Sequence, residues 1–579
     1  MNSWTLDPSS ISVGTRTYRR PLGNTEIGFH WDAAFNGTAD SATRLHIRSL
    51  SLHDKDIFAR DNFVRAWISL KKRFPLLVAR IESSDSGANF VVLERRTEAL
   101  MDPDELTFGE VSSEEETEKF ANDLMNGARP LSEELLARVY VLRRTDCTDQ
   151  YHIIFLVAHC ITDGAANHCL ARTFLDTLSR SEDLDFDPLE ERLAMVPSAE
   201  ELQPNQRMTS AKRRWRLAIG HAISTVRTAK IQGGHALPRK FTTATHRTPA
   251  HSRVLATSFS QELSLAVLAT CRAENITFGN ALLVLSQVAM TRILYRRYLR
   301  GDISDEEWEY RKIQPMHYGG PMNLRPFLDS NWYGQGGGAE VFLAITFFFY
   351  TLPCMALGMF SRTRPTRRDL SNGAPHFSSL LSYPRFIHRS RLVKQQAKKF
   401  LSNPCFVEVA MAAHEARNER TRVGALEWAS KTLVPSHSEE IAPMNMQGPV
   451  FSSGGSSMGN VDAISPLVYP LPVSHSLSLR SDVVNSSRAG KRPQHGNQRH
   501  QQLAPRLSLE SSTTHLHCRP SELYLGAATS RQQLHISVFW DENVYDQSTI
   551  DEWLDEVKEG VYWYLARPKQ IEAANIARL

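Results

Sequence analysis

Apolar positions along the chain switch repeatedly between a helical and a strand period. In DNFVRAWISLKKRFPLLVAR (61–80), Phe63, Val64, Trp67 and Leu70 share one helical face, and Pro75 stops the helix before a short apolar run. NFVVLE and LARVYVLRR read as strands, with SSEEETEKFANDLMNG between them as a helix whose carboxylates sit at its N-terminal end. YHIIFLVAH (151–159) is a strand rich in β-branched and aromatic residues. TDGAANHCLARTFLDTL then places Ala166, Leu170, Phe174 and Leu178 near helical spacing.

In the second half, SRVLATSFS reads as a strand. QELSLAVLATCRAENITFGNALLVLSQVAMTRIL reads as helix, with a break at Thr277 and Gly279, and RSRLVKQQAKKFLSNP as a helix that stops before Pro404. QQLHISVFW and STIDEWLDEVKEGVYWYL close the chain as a strand and a helix. Between the halves, RMTSAKRRWRLAIGHAISTVRTAK predicts a basic amphipathic helix ending at Gly233 and Gly234; a solvated crossover face is favoured over a membrane or anion surface. Residues 474–515, dominated by Ser, Arg, His and Gln without a sustained period, are expected to be a disordered insert or translated non-coding sequence.

One segment qualifies a soluble reading. VFLAITFFFYTLPCMALGMF (341–360) is about as long as the ~20 apolar residues that span a bilayer. Its first half favours a buried strand ended at TLP, because a lone span would split a globular chain. Composition adds little else: the net charge of +4 is spread among both signs, so no nucleic-acid partner is indicated. The start has no secretory pattern, which predicts a cytoplasmic protein. Seven scattered cysteines without a C-x-x-C pair fit reduced thiols better than disulfides or structural zinc.

His159 closes the 151–159 strand within HCITDG (159–164), at a strand-to-helix corner where sites are commonly built. A neutral imidazole can take a proton from a hydroxyl near pH 7, which makes His159 a candidate general base. The bland alternative is that Thr162 or Asp163 caps the helix and His159 fills the corner. A metal set drawn from His159, Cys160, Asp163, His168 and Cys169 is poorly spaced for zinc, so no metal is expected.

HCITDG with its strand and helix resembles the HxxxD(G) acyltransferase superfamily, which includes plant BAHD enzymes, peptide-synthetase condensation domains and fungal trichothecene O-acetyltransferases. AWISLKKRFPLLVARI (66–81), PMNLRPFLDSNWYGQG (321–336), FSSGGSSMGNVDAISP (451–466) and LHISVFWDENVYD followed by IDEWLDEV are similar to further landmarks of that superfamily, in its order. There is no D-F-G-W-G motif, NLR stands where D-x-R is common, and NWYGQ only approximates Y-F-G-N. The nearest likeness is therefore to the fungal acetyltransferase branch.

The resemblance implies an α/β fold of two chloramphenicol-acetyltransferase-like domains with mixed sheets and a channel between them. On this reading residues 1–205 form the first domain, 206–250 the crossover and 251–579 the second, which carries the 474–515 insert. His159 matches the general base, Asp163 the motif carboxylate, Gly164 the small residue beside it, and Arg325 a bidentate partner that turns Asp163 away from substrate. Ser452 and Ser453 are candidate substrate or oxyanion contacts. The implied reaction is direct acyl transfer, with acetyl-CoA or another acyl-CoA as co-substrate and a small secondary-metabolite alcohol as acceptor, on a monomer with no bound cofactor. The competing readings are condensation from a carrier-bound thioester and a non-catalytic binding protein of the same fold. The basic clusters SRTRPTRR (361–368) and KQQAKK (394–399) read as solvated charge.

Overall fold

A computed structural model describes residues 4–566 apart from 13–14, 51–54, 85–86, 181, 183, 356–369, 431–448, 473 and 479–503. Two six-stranded mixed sheets organise the chain. The first runs in the order Val468–Tyr469, Leu507–Leu516, Ser41–Ser49, Gln150–Val157, Ala137–Arg144, Leu106–Val111. The second runs Ile345–Leu352, Met316–Asn323, Phe451–Asn460, Leu523–Ser530, Gln533–Asp541, Ser252–Ser258. In each, parallel and antiparallel neighbours coexist.

The predicted elements form where the periods place them. The helix Arg60–Arg73 buries Phe63, Trp67 and Leu70 and ends before Pro75. The strand Gln150–Val157 is paired on both edges, with Ser41–Ser49 and Ala137–Arg144, and Ile153 to Val157 are all buried, so both of its faces are covered as well. The helical stretch of the second half breaks as expected into Gln261–Ala273 and Phe278–Arg300, with Thr277 capping the second. Gly233 and Gly234 follow the basic helix Ser210–Ala229 with φ of 66° and 95°, a conformation that glycine adopts without a Cβ clash.

Of the apolar segment 341–360, Ile345–Leu352 is an edge strand and Val341 to Ala344 are buried; residues 356–360 lie outside the described residues, as does the basic cluster 361–368. Among the described residues one helix, Phe278–Arg300, is long and apolar enough to cross a membrane, and 89% of its most apolar stretch is buried within the fold. It is the central helix of the second core.

The expectation of disorder over 474–515 is corrected where the structure describes that segment. Residues 479–503 lie outside the described residues, but Leu507–Leu516 is an interior strand of the first sheet, paired with Ser41–Ser49 on one side and Val468–Tyr469 on the other. Leu507 and Leu509 alternate inward, a period-2 signal short enough to be masked by the serines around it. The two halves thus interlock: a strand from the second half of the chain completes the first sheet. The chain then returns to the second sheet at Leu523, and the short connection between them, carrying Cys518 and Arg519, crosses the boundary between the two cores.

Candidate active site

The strand Gln150–Val157 ends its ladder at Val157, and Ala158 donates its N–H to Leu136 O at 2.8 Å before the chain turns. Asp163 is the N-cap of the helix Gly164–Leu178: its backbone is extended (φ −147°) and its Oδ1 accepts the Ala166 N–H at 3.0 Å. Between them the corner is tied from inside. Thr162 Oγ1 donates to Asn167 Oδ1 at 2.7 Å, and Asn167 Nδ2 donates to Ser41 Oγ at 3.3 Å. The capping role that seemed the bland alternative to catalysis is therefore real for Asp163, and it is compatible with a site at His159.

His159 is 6% exposed. Its Nδ1 lies 2.6 Å from Thr162 O, so in the neutral ring Nδ1 carries the proton and donates it to that carbonyl, leaving the lone pair on Nε2. The imidazole stacks on Phe29, with ring centroids 4.1 Å apart and planes 25° from parallel. Burial is the main reason the His159 pKa falls to about 4; the nearby Arg519 guanidinium pushes the same way, while Asp163 and the Thr162 carbonyl push back. At neutral pH the ring is uncharged and able to accept a proton.

Asp163 and Arg325, 162 positions apart, meet as a fully buried ion pair at 2.9 Å. The side-by-side fork expected of this pair does not form. Arg325 Nη1 alone contacts both carboxylate oxygens, at 3.0 and 2.9 Å, because Nη2 donates to Phe342 O at 2.6 Å. Asp163 Oδ2 accepts a further bond from Ala344 N at 2.8 Å. Asn323 Oδ1 accepts from Arg325 N at 3.1 Å and from Nη1 at 3.3 Å. The carboxylate is thus committed to the helix cap and to the 323–344 segment, away from the imidazole. Gly164 is exposed, and a Cβ there would meet Met458 Cε only at ordinary contact, 3.8 Å.

The two serines separate. Ser452 is fully buried and its Oγ donates to His235 O at 2.7 Å, so its hydroxyl is already used. Ser453 Oγ is buried without a partner in the wall of a cavity of about 350 Å³, which is also lined by Gly319, Phe347, Phe451, Arg417 and Arg519. His168 and Cys169 do not converge on His159 as metal ligands: His168 Nδ1 meets Ser465 Oγ at 3.0 Å and Cys169 Sγ meets Ala339 O at 2.8 Å. His46 and His152 of the first sheet do cluster with Glu114, the first residue of the helix Glu114–Asn126. There Arg44 and Arg144 each hold Glu114 at 3.2 Å, so cations already stand where a metal would have to sit.

Sequence reasoning missed the residues packed behind the base. Phe29, on the helix Asn24–Ala34, lies with its ring centre 4.4 Å from the Arg417 guanidinium and 5.6 Å from that of Arg519. Asp32 accepts from both arginines, at 2.9 Å for Arg519 Nη2. Burial pulls the Arg417 pKa down to about 10 despite Asp32, whereas for Arg519 the attraction of Asp32 and Glu522 outweighs burial and raises it. Phe29→Leu removes the stacked ring while keeping an apolar side chain. It should lower kcat of the reaction proposed below by about 10- to 100-fold with little change in KM, at a stability cost of about 1–2 kcal/mol by urea titration. An unchanged kcat would show that the stack does not position the imidazole.

No protein-family model and no curated protein matches this sequence. Solved structures do match it, along nearly its whole length. TRI3 trichothecene 15-O-acetyltransferase from Fusarium sporotrichioides superposes with a TM-score of 0.66, covering 97% of this chain and 97% of that one at 10% identity. The condensation domain of the Monacolin K polyketide synthase MokA superposes with a TM-score of 0.54 over 95% of this chain and 98% of its own, also at 10% identity. The chain has their two-domain chloramphenicol-acetyltransferase-like fold. The epimerization domain from the third module of tyrocidine synthetase B matches too, with a TM-score of 0.50, 12% identity and coverage of 94% and 96%. One architecture therefore carries different reactions, and what this chain does has to be argued from its own site.

Proposed function

We propose that the chain is an acyl-CoA-dependent O-acyltransferase, transferring an acetyl group to a hydroxyl of a small secondary metabolite, with trichothecene-like alcohols as the nearest analogy. The observation that carries this reading is the state of His159: a neutral imidazole whose Nδ1 is tied to Thr162 O and whose Nε2 keeps its lone pair. A group in that state is a general base.

In the proposed reaction Nε2 takes the proton of the acceptor hydroxyl as its oxygen attacks the thioester carbonyl. The tetrahedral oxyanion then collapses, the C–S bond breaks, and the proton on Nε2 passes to the departing thiolate. No covalent bond to the enzyme forms. Asp163 moves no proton; paired with Arg325, it fixes the corner from which the imidazole projects. Ser453, with an unpartnered hydroxyl in the cavity wall, is the better of the two serine candidates for contacting substrate.

The test is to incubate purified protein with acetyl-CoA and a panel of hydroxylated secondary metabolites, following free thiol and acetylated product. His159→Ala is expected to lower the rate by about 10²–10⁴-fold; thiol release at the wild-type rate would sink the mechanism. The match to a condensation domain keeps a second reading open, in which the thioester arrives on a carrier protein. Turnover with an acyl-pantetheinyl carrier, and none with acetyl-CoA, would favour it.

A further inference from the structure

A second cavity, of about 670 Å³, opens between the basic helix Ser210–Ala229, the edge strand Ile345–Leu352 and the helix Tyr383–Leu401. Its wall includes Phe347 and Phe349, and the same two rings line the cavity that holds Ser453 and Arg519. Phe347 is also 6.4 Å, centre to centre, from Phe29, the ring stacked on His159. An aromatic wall is therefore shared between this outer cavity and the cavity of Ser453 and Arg519, and Phe29 stands between that wall and His159.

The charged residues of the lining are all cations. Arg227, Lys230 and Lys399 border the cavity, and among the described residues no carboxylate pairs with any of them. Arg227 is the informative one. It is half-buried, with its guanidinium 4.1 Å from the centre of Phe400 and 5.2 Å from that of Phe348. The aromatic faces hold it in place without neutralising it. Burial lowers its pKa, and no acidic neighbour acts in the other direction. Several deeply buried arginines meet a carboxylate, Arg20 with Glu26, Arg292 with Glu556 and Arg325 with Asp163, and Arg172 and Arg192 are held by backbone carbonyls; Arg227 has aromatic faces instead. A guanidinium held partly out of water without a counter-ion, facing a cavity, is suited to an anion that arrives from outside.

We propose that this cavity seats the phosphorylated end of the acyl donor, with its phosphates on Arg227, Lys230 and Lys399 and its pantetheine arm following Phe347 and Phe349 toward His159. The assignment rests on the acyl-CoA reading, because CoA is the one polyanionic reactant in that reaction. It also divides the two cavities: the phosphates bind outside the aromatic wall, and the hydroxylated acceptor occupies the cavity of Ser453 and Arg519.

The test compares Arg227→Met and Lys399→Gln with wild type, using CoA binding by calorimetry and initial rates with acetyl-CoA and with S-acetylpantetheine, which lacks the phosphates. Arg227→Met should weaken CoA binding and raise KM for acetyl-CoA by about tenfold with kcat nearly unchanged, and should leave KM for S-acetylpantetheine at the wild-type value. Lys399→Gln, at an exposed position, should act in the same direction and more weakly. Equal CoA affinity in wild type and both variants would overturn the assignment while leaving the acyltransferase reading intact. So would an equal loss with both donors, which would mean the cavity had merely been deformed. Wild-type protein that neither binds CoA nor turns over acetyl-CoA would remove the reading and the assignment together.

Discussion

Arg325→Met should destabilise the protein by about 3–5 kcal/mol, read as a shift of the urea midpoint at constant slope. Asp163 is 1% exposed, and Nη1 of Arg325 is its only cationic contact among the described residues, at 2.9 and 3.0 Å. Without the guanidinium, a carboxylate stays buried on two backbone N–H donors, those of Ala166 and Ala344. Those bonds satisfy part of its hydrogen-bonding capacity and none of its charge. The loss is about a fifth or more of the roughly 5–15 kcal/mol that holds a typical domain. Asp163→Asn in the Arg325→Met background should restore most of that loss, since the buried charge is gone while an oxygen remains to cap the helix. Strictly additive effects of the two substitutions would mean the pair is not coupled and that the corner is held by the backbone bonds alone.

The parts of this site that were legible in the sequence are those with a local signature. His159 and Asp163 sit in one hexapeptide at a change of hydrophobic period, and Arg325 lies in a segment with its own Pro, Asn and Gly punctuation. What surrounds them was not legible. The helix carrying Phe29 also buries Glu26, His30 and Asp32, so it has no polar face to mark a helical period. Arg20 takes Glu26 from six positions before it, but Asp32 is answered by distant partners, with Arg417 and Arg519 converging on it from 385 and 487 positions away. No window of ordinary length contains both halves of such a pair.

The same reasoning explains the strand at Leu507–Leu516. A run of serines and threonines reads as disorder by composition, but as an interior strand it is supported by its neighbours through backbone bonds that composition does not report. By completing the first sheet, that strand also sets where the chain crosses back to the second, and so brings Arg519 to the rear of the base. Fold and site were thus misread at one place for one cause: the second half of the chain finishes the first half's sheet, and Arg519 is carried there with it.

Acidification should unfold the protein cooperatively, with a midpoint near pH 5. Burial lowers the pKa of His30, His159, His168, His414 and His515 to about 4, and that of His152 and His235 to about 3. In the unfolded chain each would titrate near 6.5. Between those values the unfolded state binds protons that the native state refuses, so stability is full only well above about pH 6.5 and falls as the pH drops toward 4. Each such histidine contributes a slope of about 1.4 kcal/mol per pH unit, and the seven together would exhaust an ordinary folding free energy within roughly one to two units. Asp40, Glu200 and Asp541 act oppositely, since burial raises their pKa values and favours the native state as they take up protons. Urea titrations at pH 7.5, 6.5 and 5.5 should give a free energy that falls modestly across the first interval and steeply across the second. Catalytic rate should be lost together with tryptophan fluorescence and circular dichroism, because His159 stays neutral until the fold fails. A rate that fell around pH 6.5 while both spectra stayed native would mean that the base titrates as an exposed histidine does, and that the buried, Phe29-stacked imidazole is not the state that works.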